Sequence, residues 1–89
     1  MKTIVITGAG SGIGRATAIE LSKQTDTQLI LVGRTETHLE QTRALCHQSE
    51  QHHAAPFDIC NKSEWQALFD RLRIDTLYAL FANAGVGGV

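Results

Sequence analysis

The sequence is poor in residues that interrupt or cross-link a chain. Its 89 residues include one proline and two cysteines, Cys46 and Cys60. The two cysteines do not have Cys-x-x-Cys spacing and form no partner pair, which is not the pattern of a disulfide framework. We therefore expect reduced thiols and a cytoplasmic protein.

Strong charge of one sign and long apolar runs are also missing. The net charge is −1, which gives no electrostatic reason to expect binding to nucleic acid or to an anionic membrane. No apolar run approaches the length of a membrane span, and residues 1–3 lead directly into a predicted strand, so we expect no signal peptide. The hydrophobic content of 43% is too high for disorder and predicts one small domain.

Residues 4–14 are the stretch around which the chain is organised. Residues 4–6 form an apolar run typical of a buried strand. Glycines follow at positions 8, 10, 12 and 14, and a helical pattern begins at Gly14. Glycine suits a sharp turn and close approach to a ligand, and a helix N-terminus suits a phosphate. The alternative is a flexible loop, although the flanking strand and helix argue against it.

The remaining periodicity predicts alternating helices and strands. The expected helices are 14–24, a second from Thr35 or Thr37 to residue 50, and a third after Asn61 or Ser63. The expected strands are 29–32, 52–57 and 76–82. The order β-α-β-α-β-α-β predicts the α/β class, with a doubly wound (Rossmann) parallel sheet in the strand order 3-2-1-4.

Two details of the pattern place individual side chains. Pro56 lies within the third predicted strand, and since proline is tolerated at sheet edges, that strand is expected at an edge. Core positions are expected on the second helix at Leu39, Thr42, Leu45 and Cys46 and on the third helix at Trp65, Leu68, Phe69 and Leu72.

The motif TGxxxGxG at residues 7–14 resembles the cofactor turn of the short-chain dehydrogenase/reductase family. The resemblance implies that Gly8 makes the tight turn, that Gly12 admits a pyrophosphate and that Gly14 allows close helix–strand packing. Ser11 and Ile13 belong to the same turn and are included among the expected cofactor-binding residues.

Two later stretches resemble the same family. Asp58 and Ile59 match its acidic residue near the adenine ring and the residue that follows it. The second half of its Asn-Asn-Ala-Gly signature is matched by Asn83, Ala84 and Gly85, with Ala82 in place of the leading asparagine. Asp58 could instead cap the next helix, and Asn83 could be an ordinary turn residue.

The end of the second strand bears on the choice of cofactor. Gly33 occupies the position where an acidic residue would hold a ribose 2′-hydroxyl, and Arg34 follows it. A guanidinium suits a 2′-phosphate, so NADP is favoured over NAD. The alternative is a solvated arginine at a strand end.

The family's catalytic tyrosine and lysine have no match here. The only tyrosine, Tyr78, lies in a predicted strand, and Ala82 stands where its lysine would be. The sequence therefore resembles the N-terminal, nicotinamide-dinucleotide-binding half of an oxidoreductase acting on alcohol or carbonyl substrates. We expect the 89 residues alone to be inactive and to meet a substrate only with a C-terminal half. The alternative is a non-catalytic nucleotide-binding or interaction module.

Two further expectations concern metals and assembly. The four histidines show no convergent ligand set, so no metal site is expected. The fourth strand would be left at an open edge of the sheet, and we therefore expect self-association through it.

Overall fold

Strands and helices alternate along the part of the chain that the structure, a computed structural model, describes, which is residues 1–83. The strands are β1 (Lys2–Thr7), β2 (Thr27–Gly33), β3 (His53–Pro56) and β4 (Ala79–Ala82). The α-helices are α1 (Gly12–Leu21), α2 (Glu36–Leu45) and α3 (Lys62–Leu72), and a short 3-10 helix spans Ser49–Gln51. None of these helices is long and apolar enough to cross a membrane.

The four strands form one parallel sheet in the order β3-β2-β1-β4, which confirms the predicted α/β topology. Side chains alternate between its two faces, so one face carries Ile4, Ile6, Leu29 and Leu31 and the other carries Val5, Ile30 and Val32. Ala18 of α1 and Leu39 of α2 pack on the first face, and Leu68 of α3 packs on the second. The edge position of β3 explains how Pro56 is tolerated.

The start of α3 was predicted better than the start of α2. Asn61 is the N-cap of α3, and its side chain accepts a hydrogen bond from the backbone N–H of Glu64 at 3.3 Å. Ser63 lies inside the helix instead. Thr35, one of the two predicted starts of the second helix, is the N-cap of α2, although its side chain makes no capping bond, and Thr37 lies inside the helix.

The predicted end of α2 at residue 50 is also wrong, because the helix stops at Leu45. Cys46 leaves the helix with extended backbone angles and is buried in the core. The next N–H, that of His47, donates to the Ser22 hydroxyl at 2.9 Å. Leu45 is 56% exposed rather than a core residue. A contact with a distant element therefore ends this helix early.

Smaller differences affect other boundaries. The helix α1 covers residues 12–21 rather than 14–24, since the buried Ser22 turns its hydroxyl back to the Ile19 carbonyl at 2.7 Å. The strand β4 begins at Ala79 rather than at residue 76. The two cysteines are free, Cys46 buried and Cys60 exposed.

A buried histidine connects β2 to the segment after α2. His52 is 3% exposed, and its Nδ1 accepts a hydrogen bond from the Leu29 N–H at 3.0 Å. Its Nε2 lies 2.9 Å from the His47 carbonyl oxygen and donates to it. The ring is thus held in its neutral form, with both nitrogens satisfied. Burial lowers the pKa of His52, an effect that Arg43 adds to and that the His47 hydrogen bond and Glu50 oppose.

This arrangement predicts that the protein loses stability as the pH falls through the ordinary histidine pKa of about 6.5. In that range the unfolded chain binds a proton that the folded His52 resists, and protonation of Nδ1 would break the bond to Leu29. Urea unfolding between about pH 8 and pH 5.5 measures the effect. The neutral variant His52→Leu should show a flatter pH dependence. Because burial also lowers the pKa of His53, the variant His53→Gln measures the contribution of that residue to the slope separately. An unchanged slope in His52→Leu would contradict the assignment to His52.

The strand β4 presents apolar side chains on both faces. Its register places Leu80 beside Val5 on the α3 face and Phe81 beside Ile6 on the opposite face. Leu80 is 56% exposed and Phe81 is 40% exposed. Within residues 1–83, β4 pairs only with β1, which leaves its other side as an edge that can accept another strand.

We propose that the 89-residue polypeptide self-associates through β4. Sedimentation at tens of micromolar should show a dimer or larger species, and Leu80→Lys should shift it toward monomer because charge blunts a sheet edge. Leu45→Lys is a matched control, since Leu45 is exposed to the same extent on α2. A monodisperse wild-type monomer would refute the proposal.

Candidate functional site

A cleft of about 560 Å³ lies where the carboxyl ends of the strands meet. The turn after β1 forms one wall of this cleft. The ends of β2 and β3 and the start of α2 add to it, and Asn83 contributes from the end of β4. In an open parallel sheet ligands bind at the carboxyl ends of the strands, in the crevice that opens where the strand order reverses, which here is at β1.

The structure brings nine of the eleven residues expected to bind a cofactor into this cleft. They are Gly8, Ser11, Gly12, Ile13, Gly14, Arg34, Asp58, Ile59 and Asn83. Ala84 and Gly85 lie outside the described residues. The lining also includes residues that were not predicted to bind a cofactor, namely Gly10, Gly33, Thr35, His38, Leu39, Phe57 and Cys60. Most of these residues lie within a few positions of the end of a strand. That position in the sequence was the signal that could have identified them as cleft residues.

The glycine turn depends on two positions for different reasons. A Cβ on Gly14 would lie 2.0 Å from the Gly8 carbonyl oxygen, so only glycine fits there. The close contact is thus between α1 and the first residue of the turn. Gly12 has a φ of 56°, in the left-handed region that favours glycine. Apart from its chain neighbours and the nearby backbone of α1, no atom of residues 1–83 lies within 4 Å of the place a Cβ would take on Gly12, so this side of the turn is open.

The turn is fastened to α2 by two side chains. The Arg15 Nε donates to the Thr42 hydroxyl at 2.8 Å, and the Thr42 hydroxyl donates to the Ala9 carbonyl at 2.8 Å. The Arg15 Nη2 donates to the carbonyls of Gly10 at 2.7 Å and His38 at 3.1 Å. The glycine turn, which forms one wall of the cleft, is therefore bonded to α2, the helix that follows the opposite wall at the end of β2.

Arg34 extends the cleft at the end of β2. It follows Gly33 directly, is exposed and lines the cleft. Unlike Arg15, it has no hydrogen bond, ion pair or aromatic contact within residues 1–83. Its charge is therefore available to an anion.

Asp58 and Ile59 are held in a tight turn before α3. One Asp58 carboxylate oxygen accepts from the Cys60 N–H at 2.9 Å, a local bond of the kind expected for a turn residue. The Ile59 carbonyl accepts from the indole N–H of Trp65 at 2.8 Å. Trp65 in turn packs edge-on against Phe57, with ring centroids 5.0 Å apart. Trp65 is half-buried against the α3-side core, as the sequence predicted.

Asn83 joins the ends of β4 and β1. Its backbone N–H donates to the Thr7 hydroxyl at 3.0 Å. Its side-chain Nδ2 is buried and finds no acceptor among residues 1–83. A buried amide without an acceptor is costly, so this group is suited to an acceptor from outside that part of the chain. In the same part of the chain, no group of three His, Cys, Asp or Glu side chains is arranged to hold a metal ion.

The cleft can be compared with those of known proteins. A family model described as short chain dehydrogenase matches residues 2–89. The 17-beta-hydroxysteroid dehydrogenase 13 of Rattus norvegicus is 33% identical over 87 residues, which cover 94% of this chain and 29% of that protein. The NADP-dependent 3-hydroxy acid dehydrogenase of Schizosaccharomyces pombe is 50% identical over 40 residues, covering 45% of this chain and 15% of that protein.

Solved structures that superpose on this chain are also short-chain dehydrogenases. A short chain dehydrogenase from Bacillus anthracis superposes with a TM-score of 0.82 at 26% identity, covering 93% of this chain and 34% of that one. A short-chain dehydrogenase from Sphingobium yanoikuyae, solved in complex with NADPH, superposes with a TM-score of 0.68 at 31% identity, covering 90% and 32%. The chain thus spans about a third of the length of these solved chains. With a family match over nearly its whole length, it belongs to the short-chain dehydrogenase/reductase family.

Proposed function

We propose that this chain supplies the cofactor-binding part of an NADP-dependent oxidoreductase acting on alcohol or carbonyl substrates. The observation that carries the proposal is the pairing, across one cleft, of an open glycine turn with an unpartnered arginine. Nicotinamide dinucleotides have a pyrophosphate at the centre, and NADP has a further phosphate on the adenosine ribose. The two walls offer a site for each.

The turn fits the pyrophosphate. The helix α1 begins at Gly12, so its first N–H groups and the positive end of its dipole face this region. The first turn of α1 contains no acidic residue that would oppose an anion. The open space beside Gly12 allows a phosphate to approach the backbone closely.

The opposite wall fits the adenosine end. Arg34 offers a planar, permanently charged donor to the 2′-phosphate, and Gly33 leaves no carboxylate beside it to repel that phosphate. Asp58 and Ile59 are proposed to lie along the adenine. Asn83, with Ala84 and Gly85 beyond the described residues, is proposed to continue the site toward the nicotinamide.

The proposed roles of these residues are to bind and orient. When bound, the nicotinamide ring accepts or supplies the hydride. Holding it in one orientation lowers the entropic part of the barrier, but the accompanying proton needs a separate donor or acceptor, which we do not assign to this chain. We propose that residues 1–89 alone do not turn over substrate.

Two relatives support the class of reaction and cofactor by name, one as an NADP-dependent 3-hydroxy acid dehydrogenase and one as a hydroxysteroid dehydrogenase. The relative solved with NADPH supports the same cofactor. We also propose a cytoplasmic location, supported by the two free cysteines.

NADPH should bind more tightly than NADH, and Arg34→Ala should weaken NADPH binding while leaving NADH binding unchanged. A hydrogen bond to a charged group contributes about 1.5–3 kcal/mol, so the preference should be roughly 10- to 100-fold. Calorimetric titration of both cofactors at one salt concentration measures it.

Arg71→Ala is the control for net charge, because Arg71 is an exposed arginine of α3 that does not line the cleft. It should leave both affinities unchanged. Equal affinity of the wild type for the two cofactors, or an unchanged ratio in Arg34→Ala, would contradict the proposed cofactor choice.

A further inference from the structure

We propose that Arg15 and Thr42 are positioning residues that hold the glycine turn in its phosphate-binding conformation. This inference rests on the proposed dinucleotide site and adds to it two residues outside the glycine motif. Neither side chain lines the cleft. They act through the turn's backbone carbonyls, which they draw toward α2.

The contacts form a continuous chain of hydrogen bonds. Arg15 is permanently charged and can only donate. It donates to the Thr42 hydroxyl, whose own hydrogen is directed to the Ala9 carbonyl at 2.8 Å, the nearer of its two acceptors, since the His38 carbonyl lies at 3.2 Å. Thr42 and Ala9 are both completely buried, so water cannot replace these bonds. The direct bond of Arg15 to the turn, which goes to the Gly10 carbonyl, is the shortest of the set at 2.7 Å.

The consequence for the ligand follows from the geometry of the peptide bond. In a planar trans peptide the C=O and the N–H point in opposite directions. The Ala9 carbonyl shares its peptide with the Gly10 N–H, and the Gly10 carbonyl shares its peptide with the Ser11 N–H. Thr42 holds the first carbonyl and Arg15 holds the second, so both N–H groups point away from these two side chains. Neither has an acceptor within residues 1–83, and both residues line the cleft.

The same bonds set the distance between the two walls. Arg15 also donates to the carbonyl of His38, which lies in the first turn of α2. A Cβ on Gly10 would lie 2.9 Å from the His38 Cβ, so turn and helix are in direct contact. Loss of the bonds made by Arg15 and Thr42 would therefore release the turn. Arg34 follows the end of β2 and would stay in place.

The matched pair Thr42→Val and Thr42→Ser tests the role of the hydroxyl. Valine keeps the shape of threonine but cannot bond to Arg15 or Ala9, and serine keeps the hydroxyl. NADPH, NADH and adenosine 2′-phosphate are titrated by calorimetry or NMR. The last ligand carries the adenine and the 2′-phosphate but no pyrophosphate, so it reports on the wall with Arg34, Asp58 and Ile59 and not on the glycine turn.

Thr42→Val should weaken the binding of NADPH and of NADH by the same factor, about tenfold, because the hydrogen bonds from the Gly10 and Ser11 N–H groups to phosphate lose their alignment. Adenosine 2′-phosphate should bind as it does to the wild type. Thr42→Ser should restore dinucleotide binding to within about twofold. If Thr42→Val does not fold, Arg15→Lys, which keeps the charge but not the two-armed contact, should give the same selective loss.

The outcomes separate the two proposals. A wild-type protein that binds neither NADPH nor NADH overturns the proposed function, and the positioning role with it. Wild-type binding with unchanged dinucleotide affinity in Thr42→Val overturns only the positioning role. An equal loss of affinity for all three ligands in Thr42→Val also overturns the positioning role, since that pattern indicates general damage to the fold.

Discussion

The contact between Gly14 and the Gly8 carbonyl is the constraint on which the rest of the site depends. A hydrogen is the only substituent that fits between α1 and the turn, since a Cβ would lie 2.0 Å from one backbone atom and 2.7 Å from the next. Because β1 ends one residue before Gly8, this contact fixes the start of α1 directly above the end of the central strand. The N–H groups of α1 therefore face the cleft.

The sheet order extends this local arrangement into a site. With β1 flanked by β2 and β4, the chain leaves the sheet in opposite directions on either side of the turn, and a cleft opens between them. The bonds from Arg15 and Thr42 then tie the turn to α2. The walls are thus set by backbone packing and buried hydrogen bonds, which favour a preformed site over one assembled by its ligand.

Much of this arrangement can be predicted from the sequence, because it depends on local signals. Glycine spacing, the alternation of apolar runs and the single proline were sufficient for the α/β class and the strand order. Residues such as Arg34 and Asp58 fall in the cleft because they follow parallel strands, whose ends meet at one edge. The chemical roles of these residues remain a proposal.

The features that escaped prediction depend on contacts between residues far apart in the chain. The helix α2 ends early because His47 bonds to Ser22, 25 positions away, and Leu45 is consequently exposed. The contact between Arg15 and Thr42 spans 27 positions. Periodicity placed Thr42 on the core side of α2 but could not show which carbonyl its hydroxyl meets. The alternative prediction that Asp58 caps the next helix was wrong, because Asn61 is the N-cap of α3 and Asp58 accepts from the Cys60 N–H in the turn before it.

The most direct test of the account is the substitution Gly14→Ala, compared with Gly33→Ala. Both substitutions add one methyl group at a glycine that lines the cleft. The methyl at residue 33 would meet the flexible end of the Leu39 side chain at 3.1 Å, whereas the methyl at residue 14 would meet the backbone of Gly8. Gly14→Ala should lower the free energy of unfolding in urea by at least about 1–3 kcal/mol and abolish NADPH binding, with a smaller loss of stability in Gly33→Ala. A Gly14→Ala protein that unfolds at the wild-type urea concentration and binds NADPH with wild-type affinity would contradict the account.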